Sequence, residues 1–192
     1  MARRSFAAAA LVVALAVPAA AEDAPAPDDR MSLWQRLELP SHRALQRVRE
    51  TPGTTLEPFT TDGCSGGLSD AWRVVADRFP AFAEAHREMP PWEECCVIHD
   101  RAYHAGGPDA DAELSYAARL GADEALQLCV IHSADDRTGD LSDRYGLTAD
   151  EVRSAYDAIA AAMYLAVRFG GGPCTGLPWR WGYGYPDCFG GR

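Results

Sequence analysis

Two adjacent cysteines, a histidine, an aspartate and a tyrosine share the nine residues Cys95-Cys96-Val97-Ile98-His99-Asp100-Arg101-Ala102-Tyr103. In a helix, Cys95, His99 and Tyr103 lie four apart along one face, and Cys96 and Asp100 form a second row about 100° around the axis. The first row suits an imidazole base anchored by a cross-link. The second suits a carboxylate presented to a hard cation.

A histidine base needs a carboxylate to fix its tautomer, so that one ring nitrogen donates and the other takes a proton from water. Spacing selects Asp123 as that partner. If the helix holding Asp123 runs antiparallel to the first, four residues back from His99 to Cys95 (about 6 Å) and six forward from Asp123 to Cys129 (about 9 Å) travel the same way. A Cys95–Cys129 disulfide is then compatible with a His99–Asp123 hydrogen bond. Asp111 lies eighteen residues before Cys129 and has no such relation. The glycine-bearing loop Asp62-Gly63-Cys64-Ser65-Gly66-Gly67 can fold around an ion and offer backbone carbonyls beside Asp100, and a Cys64–Cys96 disulfide would hold it there. Cys174 and Cys188 stand close enough in sequence to close a local loop.

The elements that must place these groups read as helices. Pro90-Pro91 before Trp92-Glu93-Glu94 marks a start, with proline in the first turn and acids at the positive end of the dipole, and Gly106-Gly107-Pro108 marks the stop. A second helix is expected from Asp109 or Asp111 towards Cys129, with a bend possible at Gly121. Thr148-Ala149-Asp150-Glu151 is a capping box, followed at helical spacing by Val152, Ala155, Tyr156, Ile159, Met163 and Val167. That stripe is expected to pack in the core. Ser32 to Glu50 carries a helical pattern that Pro40 is expected to break, giving a bent or paired helix. Thr51 to Gly67 reads as turn-rich and extended. Leu68 to Phe79 is helical, with Trp72, Val75, Ala76 and Phe79 on one side, and His132 to Gly146 reads as a polar connection. No strand pattern of useful length is present, so the fold class is mainly α, with a disulfide-linked antiparallel catalytic helix pair and additional helices. Trp179-Arg180-Trp181-Gly182-Tyr183-Gly184-Tyr185 is expected to pack over the helices rather than face a lipid interface. His42, His86, His104 and His132 lack reactive neighbours and are expected at the surface or at caps.

The chain opens with Arg3-Arg4, an apolar run from Phe6 to Val17 and the small residues Ala19-Ala20-Ala21, the pattern of a secretory signal peptide over residues 1–21. The proline-rich and acidic residues 22–31 read as a disordered leader, and residues 32–192 as a single domain. Loss of Arg3 and Arg4 takes the 18 basic residues to 16 against 28 acidic, a net charge of −12, and there is no lysine. Such a surface argues against a nucleic-acid partner. No later segment offers the roughly 20 apolar residues of a membrane span. Export to the periplasm or the medium and an even count of six cysteines predict three disulfides. Cysteines beside His99 and near His104 are also the raw material of a zinc site, which would need free thiols.

The segment Cys95-Cys96-Val97-Ile98-His99-Asp100, with Tyr103 beyond it, resembles the active-site helix of secreted phospholipases A2, and Ala122-Asp123-Glu124-Ala125-Leu126-Gln127-Leu128-Cys129 resembles that family's second catalytic helix. The likeness is nearest to the group XII type and spans roughly residues 59 to 130. It implies an exported, calcium-dependent hydrolase that cleaves an acyl ester of glycerophospholipids, with a phospholipid or lipid interface as its partner. His99 is then the base, Tyr103 and Asp123 its supporting network, Asp100 a calcium ligand, and the carbonyls of Gly63, Ser65 and Gly67 the loop ligands. Three departures stand out, one of them a short connection between the two helices, as in minimal members. The loop Cys64-Ser65-Gly66-Gly67 is one residue shorter than the family pattern, and Ala102 replaces a cysteine usual after the His-Asp pair. A non-catalytic binding module on the same scaffold is the alternative.

Overall fold

The computed structural model describes residues 32–64, 73–74, 76–80, 84, 86, 89–108 and 111–189. Residues 1–31, where the signal peptide and leader are expected, lie outside the described residues, as do Ser65, Gly67, Trp72 and Val75. Five helices have described bounds: α1 (Leu33–Glu50), α2 (Glu93–Ala105), α3 (Ala112–His132), α4 (Thr138–Tyr145) and α5 (Ala149–Gly170). Among the described residues there is no strand, and no helix is long and apolar enough to cross a membrane.

Local chemistry explains the helix ends. Asp111 caps α3 by accepting from the Leu114 backbone N–H, and Thr148 and Glu151 form the full capping box of α5. Gly106 closes α2 with φ 69° and donates to the Ala102 carbonyl. Only glycine fits there, because a Cβ would lie 2.8 Å from the Cα of Gly182. α3 passes through Gly121 without interruption.

Two expectations fail. Pro40 does not break α1, which runs unbroken from Leu33 to Glu50. Pro40 lies on the exposed side of the helix, where the loss of one backbone donor is tolerated best, while Leu39, His42, Ala44 and Leu45 bury the other face. The expected connection His132 to Gly146 contains α4, whose Leu141 packs on the core below Val152 and Tyr156. Two apolar residues in eight, Leu141 and Tyr145, are too thin a pattern to announce a helix.

α3 is the central rod, packing against α1, α2 and α5, and α4 packs against α5. The pairs Cys95–Cys129, His99–Asp123 and Tyr103–Arg119 climb one helix while descending the other, so α2 and α3 are antiparallel. Leu126 and Val130 of α3 share a core with Val152, Tyr156 and Ala160 of α5, each 5 % exposed or less. Each larger member contributes on the order of 1.5–3 kcal/mol through burial. Ala155, placed on that stripe by spacing, faces solvent. Of the residues expected on one side of the segment 68 to 79, Ala76 is buried and Phe79 is exposed.

All six cysteines pair as Cys64–Cys96, Cys95–Cys129 and Cys174–Cys188, at Cα separations of 5.0, 5.7 and 5.1 Å. No thiol remains for zinc. The last disulfide closes a loop whose backbone satisfies the end of α2: Gly182 N–H donates to the Tyr103 carbonyl at 2.6 Å and Gly184 N–H to that of His104 at 3.1 Å. Trp181 of this loop is 1 % exposed and its indole N–H donates to Ser115 at 3.0 Å. The aromatic run packs inward.

Candidate active site

α2 and α3 bring His99 and Asp123 together. The ring nitrogen Nε2 of His99 donates to Asp123 Oδ1 at 2.9 Å, and the Tyr103 hydroxyl donates to the same oxygen at 2.7 Å. His99 is 6 % exposed, Tyr103 1 % and Asp123 fully buried. Burial pushes the Tyr103 phenol well above its ordinary value, so it remains a donor. The ring of Tyr103 lies 4.1 Å from that of His99 and meets Trp181 edge-on at 5.0 Å, which restricts its rotation. Nδ1 of His99 has no hydrogen bond among the described residues. With Nε2 committed to Asp123, Nδ1 carries the lone pair that can accept a proton.

Behind Asp123 lies a charged layer that spacing did not announce. Arg168 of α5 donates through one nitrogen to Asp123 Oδ2 at 2.8 Å and through another to Glu38 Oε2 at 2.9 Å. Arg119 donates to the Tyr103 hydroxyl at 3.1 Å, to the Val167 carbonyl at 2.7 Å and to Glu38 Oε1, and stands 3.9 Å from Asp123 Oδ2. His42 donates from Nε2 to Glu38 Oε1 at 3.0 Å, which leaves Nδ1 to accept from the Ser115 hydroxyl at 2.8 Å. Burial drives Glu38 upward, yet the hydrogen bond from His42 and the two guanidinium groups outweigh it and hold the carboxyl below its usual range. Burial lowers His42.

Part of this layer was visible in retrospect. Ser115, Arg119 and Asp123 repeat every four residues on the one helix that contacts three others, so a buried polar row was implied. Glu38 and His42 repeat the same step. Nothing local singles out Arg168. The expectation that His42 and His104 lie at the surface is overturned, since they are 0 % and 5 % exposed. His42 is held by its two polar partners, and His104 by edge-on contacts with Phe59 and Tyr183. His86 bonds the Tyr145 hydroxyl at 2.7 Å, and His132 is exposed.

Asp100 occupies the second row, 5 % exposed, beside Cys96 and its disulfide to Cys64. Its one hydrogen bond among the described residues comes from the Thr61 hydroxyl at 2.6 Å, and that hydroxyl in turn accepts from the Gly63 N–H at 3.0 Å. Burial pushes the carboxyl up to about 6, with Asp62 and Glu93 adding to the rise. A cavity of about 230 Å³ opens before it, lined by Thr60, Thr61, Asp62, Pro178, Trp179 and Tyr183. The oxygen-rich surroundings, a buried carboxylate whose charge Thr61 and His99 offset only in part, and the positive φ of Gly63 (75°) fit a hard cation such as calcium. They offer no sulfur or imidazole set for zinc, and no group of three His, Cys, Asp or Glu is arranged for a metal among the described residues. Of the four expected ligand residues, Asp100 accepts from the Thr61 hydroxyl that Gly63 N–H donates to, no contact of the Gly63 carbonyl is involved, and Ser65 and Gly67 lie outside the described residues. No family model, curated protein or solved structure matches the chain, and the chemistry of the site is therefore read from its own residues.

Proposed function

We propose that the chain is an exported, calcium-dependent hydrolase of the phospholipase A2 type, which cleaves an acyl ester of glycerophospholipids. The observation that carries this reading is the His99 Nε2–Asp123 Oδ1 hydrogen bond between antiparallel helices, one residue from the buried Asp100, whose carboxyl burial pushes up. Three disulfides are in keeping with an oxidising compartment, the periplasm or the medium.

Nδ1 of His99 accepts a proton from a water as that water attacks the ester carbonyl carbon. Asp123 faces the imidazolium that forms, and Tyr103 fixes the carboxylate by its hydrogen bond to Oδ1. When the tetrahedral intermediate collapses, the carbon–oxygen bond to the glycerol breaks, and His99 returns its proton to the departing alkoxide. Asp100 would hold calcium together with the carbonyls of Gly63, Ser65 and Gly67. Bound calcium supplies polarisation of the ester carbonyl and stabilisation of the oxyanion. The 230 Å³ cavity beside Asp100 provides room for a polar group of the substrate.

The test is calcium-stimulated release of fatty acid from phosphatidylcholine vesicles. His99→Gln is expected to abolish it, and release that survives in this variant discards the mechanism. The second reading, a binding module without turnover, draws on the loop that is one residue short of the family pattern. It predicts calcium binding by calorimetry and no ester cleavage in the wild type.

A further inference from the structure

We propose that Arg168, at the end of α5 and far in sequence from the helix pair, is a positioning residue for the His99–Asp123 couple; this rests on the hydrolase reading above. Asp123 is fully buried and its two oxygens have separate duties. Oδ1 accepts from His99 and Tyr103, and Oδ2 accepts from Arg168 at 2.8 Å. Three donors on one carboxylate fix its rotation, and the rotation decides whether Oδ1 faces Nε2 of His99. Without the guanidinium the group could turn towards Arg119, whose nearest nitrogen stands 3.9 Å from Oδ2.

Arg168 is itself locked. Its second nitrogen is held by Glu38 at 2.9 Å, and Glu38 is held by His42 and Arg119. The side chain is 12 % exposed, so these interactions work in surroundings that screen charge weakly. A purely structural role explains the arrangement less well. Buried ion pairs are often replaceable by apolar residues without loss of stability, and here two cations and two anions meet around the one carboxylate that touches the base. The end of α5 is also fitted to the couple: a Cβ on Gly171 would lie 2.6 Å from Cε1 of Tyr103. The end of α5 thus brings a charge to Asp123 and a close backbone to Tyr103, which shares Oδ1 of that carboxylate with His99.

The variant Arg168→Met leaves two carboxylates short of a partner and is at risk of not folding. Glu38→Gln/Arg168→Met removes one charge of each sign and keeps an acceptor for His42 and Arg119. Two readouts are made on the mature chain with calcium. One is the kcat and KM of phospholipid hydrolysis. The other is the tautomer of His99 from ¹⁵N imidazole NMR at alkaline pH, assigned by loss of its signals in His99→Gln. Wild type is expected to hold a single Nε2–H tautomer. The double variant is expected to show tautomer averaging and a kcat lower by roughly 10- to 100-fold, the scale of a misplaced catalytic group, with KM within about twofold. Arg168→Lys, which keeps a cation in reach of Asp123, is expected to recover at least tenfold of that loss. The proposal is overturned if the double variant keeps the wild-type tautomer and kcat, or if lysine does no better than methionine. Should wild type cleave no ester, the hydrolase reading falls alone, and the tautomer measurement still decides whether Arg168 positions the couple.

Discussion

Gly171 and Gly172 are neighbours with opposite expectations. Gly171 has φ −84° and ψ 8°, in the bridge region that L residues occupy at the third position of type I turns, so no left-handed backbone requires glycine there. What requires it is space. A Cβ would stand 2.6 Å from Cε1 and 2.8 Å from the hydroxyl of Tyr103, and 2.7 Å from the Val167 carbonyl oxygen. Neither obstacle yields easily. The carbonyl is backbone, and the tyrosine is pinned by Asp123, Arg119 and Trp181. At Gly172 a Cβ would meet only Thr175 Cγ2 at 3.7 Å, an ordinary contact.

Overpacking of this kind costs about 1–3 kcal/mol, whereas alanine at a compatible glycine site stabilises by about 0.4–1 kcal/mol through the unfolded chain. Gly172→Ala is therefore expected to raise stability slightly and Gly171→Ala to lower it, a difference of about 1.5–4 kcal/mol between adjacent residues. Urea denaturation followed by tryptophan fluorescence measures it. The same shift must pass to Tyr103, so Gly171→Ala is expected to reduce ester hydrolysis well beyond its effect on the folded fraction, while Gly172→Ala leaves it unchanged. Equal stabilities for the two variants would refute the packing of α5 against Tyr103, and unchanged hydrolysis in Gly171→Ala would refute the role of that tyrosine in the site.

Three further outcomes are expected. Asp100→Asn should abolish calcium binding in calorimetry. In chelator, wild-type stability should decline as pH rises from about 4 to about 6, because the folded carboxyl at about 6 binds protons that the unfolded one at 3.8 has released, and the variant should lack this decline; full calcium binding by the variant would remove Asp100 from the ligand set. His42 is lowered by burial, so the unfolded chain takes up its proton near pH 6.5 before the folded one does. Stability should fall as pH drops below that value, and His42→Gln should flatten that part of the profile; an unchanged profile would contradict a buried neutral ring. Replacing Cys174 and Cys188 with serine opens a loop of separation 14 and should cost about 3 kcal/mol. That corresponds to a Tm lower by roughly 6–12 °C in a domain of this size, and an unshifted Tm would mean that the C-terminal loop is held without its cross-link.

How much of this was legible in the sequence depended on whether the information was local. Helix ends written in a few adjacent residues, such as Thr148 to Glu151 and Gly106, are where spacing placed them. The three disulfides follow from helical rows and short separation, because each fixes a distance that few registers satisfy. Pro40 misled because the energetic effect of a proline depends on which side of a helix meets water, and that is settled by what packs on the other side. His42 misled for a related reason. The step to Glu38 on its own helix is local, but its burial is completed by Ser115, 73 residues away. Arg168 is the extreme case, tied to Glu38 across 130 residues.

The contrast between the two aspartates bears most directly on function. Asp123 and Asp100 are both buried on the helix pair, one bonded to the imidazole of His99 and the other next to it in the chain, yet they are supplied differently. Asp123 receives a phenol, an imidazole and a guanidinium, with a second guanidinium nearby, so its charge is matched from within the fold. Asp100 receives a single hydroxyl, has acidic neighbours in Asp62 and Glu93, and is pushed up to about 6. A fold that needed both only as scaffold would gain by matching both or replacing both, since an unmatched buried carboxylate is a cost with no structural return. The asymmetry has a direct chemical use: a matched carboxylate orients a base without drifting, and an unmatched one reserves its oxygens for a cation brought from outside. Hydrolysis by a water, a fixed imidazole and a calcium ion needs one carboxylate of each kind.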